Sequence, residues 1–116
     1  MAKAVRKSAV PDFEAMSAHA EEAAILLKSL AHSARLLVLC RLVEGEAAVS
    51  ELQALGTLSM SALSQHLAVL RQANLVVTRR DAQTIFYSLA DSPALDVMKA
   101  LHKTYCGAPS TRRAKR

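Results

Sequence analysis

Between Leu52 and Arg80 the sequence holds no aspartate or glutamate, while Arg71, Arg79 and Arg80 fall within that stretch or close it. A phosphate backbone laid along it meets no like charge, so the local field favours a polyanion. Cysteine is scarce: there are two, and they form no CxxC pair. The three glycines make no phosphate-cradling loop, and there is no nucleophile elbow. These absences remove the common nucleotide-binding and hydrolase frameworks and argue against an enzyme. No apolar run reaches membrane-spanning length, and the basic N-terminus lacks the apolar segment and cleavage site of an export signal. A soluble, cytoplasmic protein with no membrane partner is expected.

Basic residues are plentiful, but their placement matters more than their sum. The whole chain is +5, yet residues 1–10 and 107–116 carry Lys3, Arg6, Lys7, Arg112, Arg113, Lys115 and Arg116 with no acid, leaving residues 11–106 at −2. Overall basicity is therefore weak support for nucleic-acid binding, and the local pattern has to carry it. Neither end shows apolar periodicity, so both read as flexible basic tails around one domain, residues 11–106. A domain of this size has a real core but gains from a dimer interface.

The stretch Ser50–Leu89 orders its signals as short helix, turn, second helix and hairpin. Ser50 is placed to cap a run through Leu55. Gly56, in the turn Leu55–Leu58, tolerates a positive φ and lets two helices meet steeply. Ser59 is the next capping residue, and Leu63, Leu67 and Leu70 at i, i+4, i+7 give the following helix a core face. Its other face presents Ser61, Ser64, Gln65, Ala68 and Gln72, small or amide side chains that fit a major groove and bond base edges. Val76–Arg80 and Thr84–Leu89, β-branched and aromatic, flank Asp81-Ala82-Gln83 as a hairpin, with Ile85, Tyr87 and Leu89 on one side. Arg79, Arg80, Gln83 and Thr84 sit where a wing meets the sugar-phosphate backbone or minor groove. An ordinary solvated β-turn is the competing reading for each wing residue taken singly.

Around this unit, Asp12 or Ser17 is placed to start a helix to about Lys28, with a small-residue stripe at Ala20, Ala23, Ala24 and Leu27. A second helix shows Leu36, Leu39, Cys40 and Val43 at i, i+3, i+4, i+7 before Gly45. After the hairpin, Asp91 or Ser92 caps a last helix with Leu95, Met98, Leu101, His102 and Tyr105 on its apolar side, ended by Gly107. The expected fold is mainly α with a β-hairpin wing, a winged helix-turn-helix in the order α-α-α-α-β-β-α. First and last helices with apolar stripes need a cover, which a two-fold partner supplies. Two reading helices one DNA turn apart, roughly 34 Å, match a palindromic operator.

From about Ala20 to Cys106 the chain resembles the ArsR/SmtB family of bacterial winged-helix repressors. The resemblance rests on Leu26–Leu36 (LLKSLAHSARL), Ser50-Glu51-Leu52, Leu63–Leu70 (LSQHLAVL) and Ile85–Leu89 (IFYSL). Ser33 departs from the pattern, where the family often has proline. The resemblance implies a homodimer on double-stranded operator DNA, read by Ser61, Ser64 and Gln65 with Ser59, Met60 and His66 nearby. Family members release DNA when a small inducer binds, often a metal. The thiolate positions of the arsenic and cadmium sensors are Ala48, Val49 and Ser50 here, and the zinc positions are Asp91, Pro93, Thr104 and Gly107. One aspartate does not hold a tetrahedral ion, so no metal or other cofactor is expected.

The remaining feature is Cys40 and Cys106, whose positions are similar to those of the persulfide-responsive branch. There, reactive sulfur species join two thiols of one subunit, and the repressor leaves its operator. Each inserted sulfur adds about 2 Å of reach, so a longer sulfur bridge spans a pair too distant for a disulfide. From the residues alone, Cys40 on an apolar stripe also reads as inert core packing. Cys106 sits at a helix C-terminus, whose dipole disfavours the thiolate, with Lys103 and the arginine tail opposing. A metal-responsive repressor with a non-standard site, using a cysteine with His102 or His32, stays open. So do a winged-helix protein-interaction module and a cysteine-based peroxide or sulfur-transfer enzyme. His32 and His102 read as packing or capping residues.

Overall fold

The computed structural model describes residues 12–56 and 58–107. The two expected tails, apart from Gly107, and Thr57 of the expected turn lie outside the described residues. The elements run Phe13–Ser17 (α1), Ala20–Leu30 (α2), Ser33–Val43 (α3), Ala47–Ala48 (β1), Val49–Gln53 (α4), Met60–Gln72 (α5), Val76–Asp81 (β2), Thr84–Leu89 (β3) and Ala94–Cys106 (α6). The fold class is as the sequence indicates, helices with a hairpin wing, and the element order gains one helix and one strand.

The extra helix comes from a break. Asp12 caps α1 by accepting from the Glu14 N–H, but Ala18 and His19 interrupt the expected single helix before α2. The chain then turns through 92° between α2 and α3. His32 makes that corner a helix start: its Nδ1 accepts from the Ala34 N–H at 3.0 Å, so the missing proline at Ser33 is offset by a side-chain cap.

On α3 the buried residues are Val38, Leu39 and Leu42, a stripe rotated from the expected one. Cys40 is half-buried at its edge, and Val43 is exposed. β1 was not foreseen. It pairs Ala47 with Tyr87 and Ala48 with Phe86, making the hairpin a three-stranded sheet in the order β1-β3-β2. α4 starts at Val49, one residue before the expected cap. One of its N-terminal N–H groups is answered from the other direction, by Glu51 Oε1 accepting from the N–H of the cap residue Ala48 at 2.7 Å. Gly56 does not use a positive φ, and a Cβ there would meet nothing within 4 Å.

α5 matches its sequence pattern closely. Ser59 Oγ accepts from the Ala62 N–H at 3.1 Å, and Leu63, Leu67 and Leu70 are at most 2% exposed. Removing each of these leucines from water stabilises the fold by about 1.5–3 kcal/mol. The helix closes on Asn74 at φ 62°, with Leu75 N–H donating to Leu70 carbonyl and Asn74 N–H to Arg71 carbonyl. That closure satisfies terminal carbonyls and sends the chain into β2. β2 extends to Asp81, which pairs with Thr84, so the wing tip is only Ala82-Gln83, with Ala82 at φ 58°. In α6, Ser92 rather than Asp91 answers the first turn, its Oγ accepting from Ala94 N–H at 3.2 Å. The buried residues of α6 are Ala94 and Met98, while His102 and Tyr105 are exposed.

Candidate nucleic-acid interface and thiol groove

The leucine face of α5 is anchored in the core, so the opposite face is fixed outward. Ser61, Ser64, Gln65, Ala68 and Gln72 are all exposed, as the periodicity requires. Met60 is exposed beside them, and the first turn carries no acid. The partly positive N-terminal end of the helix is therefore open to an anion. Ser59 is also exposed, but its hydroxyl is engaged as the cap and lies 3.4 Å from Ser61 Oγ. Half-buried His66 turns away from this face, toward Arg35 and His32.

The hairpin separates its two arginines. Cross-strand partners share a face, so Arg79 lies with Phe86 and Arg80 with Ile85. The Arg79 guanidinium sits 4.5 Å from the Phe86 ring centroid and forms two hydrogen bonds to Glu46, Nε–Oε2 at 2.9 Å and Nη2–Oε1 at 2.8 Å. Asp81 is a weaker neighbour at 3.9 Å. The hydrogen bond from Arg79 is the main reason the Glu46 carboxyl titrates below its ordinary value, with the arginine's charge acting in the same direction. Arg80, Gln83 and Thr84 are exposed.

Cys40 and Cys106 are both free thiols and both line one groove of about 880 Å³ between α3 and α6. Leu36, Met98 and Leu101 supply apolar wall, and Glu44, Lys99, His102 and Lys103 supply polar rim. Cys106 is exposed at the last residue of α6, and Cys40 is half-buried across from it. Among the described residues no group of three or more His, Cys, Asp or Glu could hold a metal ion. No single helix among them is long and apolar enough to cross a membrane.

Residues 32–78 match the family model described as bacterial regulatory protein, arsR family. The transcriptional activator HlyU of Vibrio cholerae is 43% identical over 102 residues, 88% of this chain and 94% of HlyU. This chain belongs to the ArsR family. The biofilm growth-associated repressor of Agrobacterium fabrum is 49% identical over 92 residues, 79% of each chain. Among solved structures, reduced HlyU superposes with a TM-score of 0.75 at 44% identity, covering 80% of this chain and 98% of that one. The repressor BigR of Xylella fastidiosa does so with a TM-score of 0.78 at 42% identity, covering 83% and 98%.

This ArsR-family chain is thus a DNA-binding regulator of transcription, and its relatives are regulators rather than enzymes. Glu46 and Arg35 carry much of the geometry around the interface; Arg35 falls inside the Leu26–Leu36 signature but was assigned no role, and Glu46 lies outside every signature. Glu46 lies 33 residues from Arg79 and Arg35 lies 31 from His66, so only the tertiary fold brings the partners together. Glu46 lies outside the acid-free window of Leu52–Arg80, so nothing in the local pattern couples it to Arg79.

Proposed function

We propose that the protein is a homodimeric, cytoplasmic repressor of a palindromic operator, and that reactive sulfur species or oxidants release it by bridging Cys40 to Cys106. The observation that carries this reading is the shared groove: two thiols from helices far apart in sequence line one opening, away from the reading helix. A persulfide R–S–SH passes its outer sulfur to one cysteine thiol and leaves as RSH. The second thiol then attacks the new Cys–S–SH, forming the disulfide and expelling H₂S. Reduced HlyU, a relative known in a named redox state, and the repressors among the relatives support the same direction.

The dimer is supported by apolar side chains left uncovered on the first, second and last helices. Phe13 is 81% exposed, Ile25 61%, Leu27 55% and Tyr105 69%. On DNA, Ser61, Ser64 and Gln65 read base edges, with Ser59 and Met60 shaping that surface and His66 supporting the helix from its inner side. Arg80, Gln83 and Thr84 form the wing contact, with Arg79 beside them in its ion pair.

The test is to treat the reduced protein with sulfide, an organic persulfide and peroxide. Peptide masses are then read beside affinity for a duplex selected by the wild type from a random pool. Release that coincides with a Cys40–Cys106 bridge supports the reading. Release with both thiols unmodified ends it.

A further inference from the structure

His66 lies midway along α5, half-buried, and the guanidinium of Arg35 reaches it from α3 with Nη1 3.1 Å from Nδ1. A guanidinium has no acceptor, so Arg35 donates and Nδ1 must be unprotonated. The same guanidinium donates through Nε to the Ser29 carbonyl at 2.7 Å and through Nη2 to the Lys28 carbonyl at 3.5 Å. Both carbonyls belong to the last turn of α2, and that of Lys28 also accepts from the Ala31 N–H at 3.2 Å. One side chain therefore joins the end of α2, the start of α3 and the middle of the reading helix. The His32 ring packs on His66 with centroids 4.2 Å apart, and the same His32 caps α3.

We propose that Arg35 and His66 form a latch that sets the seat of the reading helix against α2 and α3, and that protonating His66 Nδ1 opens it and weakens sequence-specific DNA binding. Protonation turns an acceptor into a donor facing another donor, and places a cation against a cation. The ionisable groups acting on His66 are His32, the cap of α3, and Arg35 in its first turn. α2 presents backbone carbonyls to the cluster and carries Lys28 in its last turn and Glu21 and Glu22 in its first, α5 itself adds only Arg71 in its last turn, and the ionised groups of β2 are Arg79, Arg80 and Asp81 toward the wing tip. No carboxylate is bonded to Arg35 among the described residues, so nothing there stabilises an imidazolium. Burial first, then the charges of His32 and Arg35, hold His66 below its ordinary value of 6.5, which keeps the latch closed at neutral pH. The proposal makes His66 a positioning residue. It rests on the DNA-reading role of α5 and is independent of the thiols.

Affinity for the selected duplex is measured by anisotropy from about pH 7.5 to 5.0, carried below the ordinary histidine range because His66 titrates lower. The wild type should weaken about threefold to tenfold, the loss of one hydrogen bond's worth of positioning. His66→Asn keeps an acceptor near Nδ1 with nothing to protonate, so its affinity should stay flat across the range. His66→Ala should be weak throughout. Binding that tightens on acidification makes His66 a phosphate contact and overturns the latch, as does an unchanged pH slope in His66→Asn. If no duplex is enriched from the pool, DNA reading itself fails and the latch is decided by NMR of the free protein. There, α5 amides should shift with the His66 ring titration, and a ring that titrates without moving them overturns the proposal.

Discussion

The Arg79 guanidinium meets the Glu46 carboxylate edge to edge, with two N–O distances under 3 Å, and lies over the Phe86 ring at the same time. Glu46 follows α3 and Arg79 sits in the wing, so the pair ties the wing to the helix that carries Cys40. The carboxyl of Glu46 is lowered from 4.5 by this partner, so its folded pKa is below the unfolded one. The interaction is therefore complete above pH 4.5 and is lost as pH falls through the lower folded value. The Arg79 Nε–H resonance should stay sharp and slow to exchange at pH 5 and collapse only below 4.5. In Glu46→Gln it should lack that acid transition, and an identical transition in the variant would refute the pairing in solution.

The two wing arginines should differ in their salt signatures. Arg80 has no ion-pair partner among the described residues, whereas Arg79 must give up Glu46 to reach phosphate. Arg80→Ala should reduce the slope of log affinity against log salt by about 0.9, the loss of one phosphate contact. Arg79→Ala should change it by less. Equal slopes for the two variants would mean that Arg79 leaves Glu46 on the DNA.

Cys40→Ser and Cys106→Ser should each retain wild-type affinity for the selected duplex and lose release by organic persulfide. Neither residue touches the reading face, and each variant lacks half of the bridge. Gel shifts with and without persulfide check this, and release that persists in both variants removes the two-cysteine model.

Gln65 projects from the exposed face of α5, where its amide can pair with adenine. Gln65→Ala should cost roughly 1–3 kcal/mol on the selected duplex and little on random DNA. An equal loss on both would assign Gln65 to the backbone.

The reading helix was the most legible part of the chain because its determinants are local. Leu63, Leu67 and Leu70 repeat with the helical period, and Ser59 lies at the cap. The wing strands were legible for the same reason, since Ile85, Tyr87 and Leu89 alternate. β1 was not: two alanines carry no strand preference, and Ala47–Ala48 becomes a strand only because Tyr87 and Phe86 pair with it. The break at Ala18–His19 and the rotation of the α3 stripe toward Val38 and Leu42 depend on packing partners, as do the contacts of Arg35 and Glu46. For the thiols, the sequence could place each on a helix, but whether both faced one opening depended on how α3 and α6 cross.

That short strand also sets how force passes through the molecule. Ala47–Ala48 is hydrogen-bonded to β3 on one side and runs straight into α4 on the other, while β3 holds β2 and the wing tip. A pull on the end of α3 therefore cannot bend the wing and leave the helix-turn-helix behind, because both hang from the same two-residue hinge pin. In hydrogen exchange the amides of β1, β3 and α4 should open as one cooperative unit, so the smallest motion that the end of α3 can pass to the wing is that of the whole head.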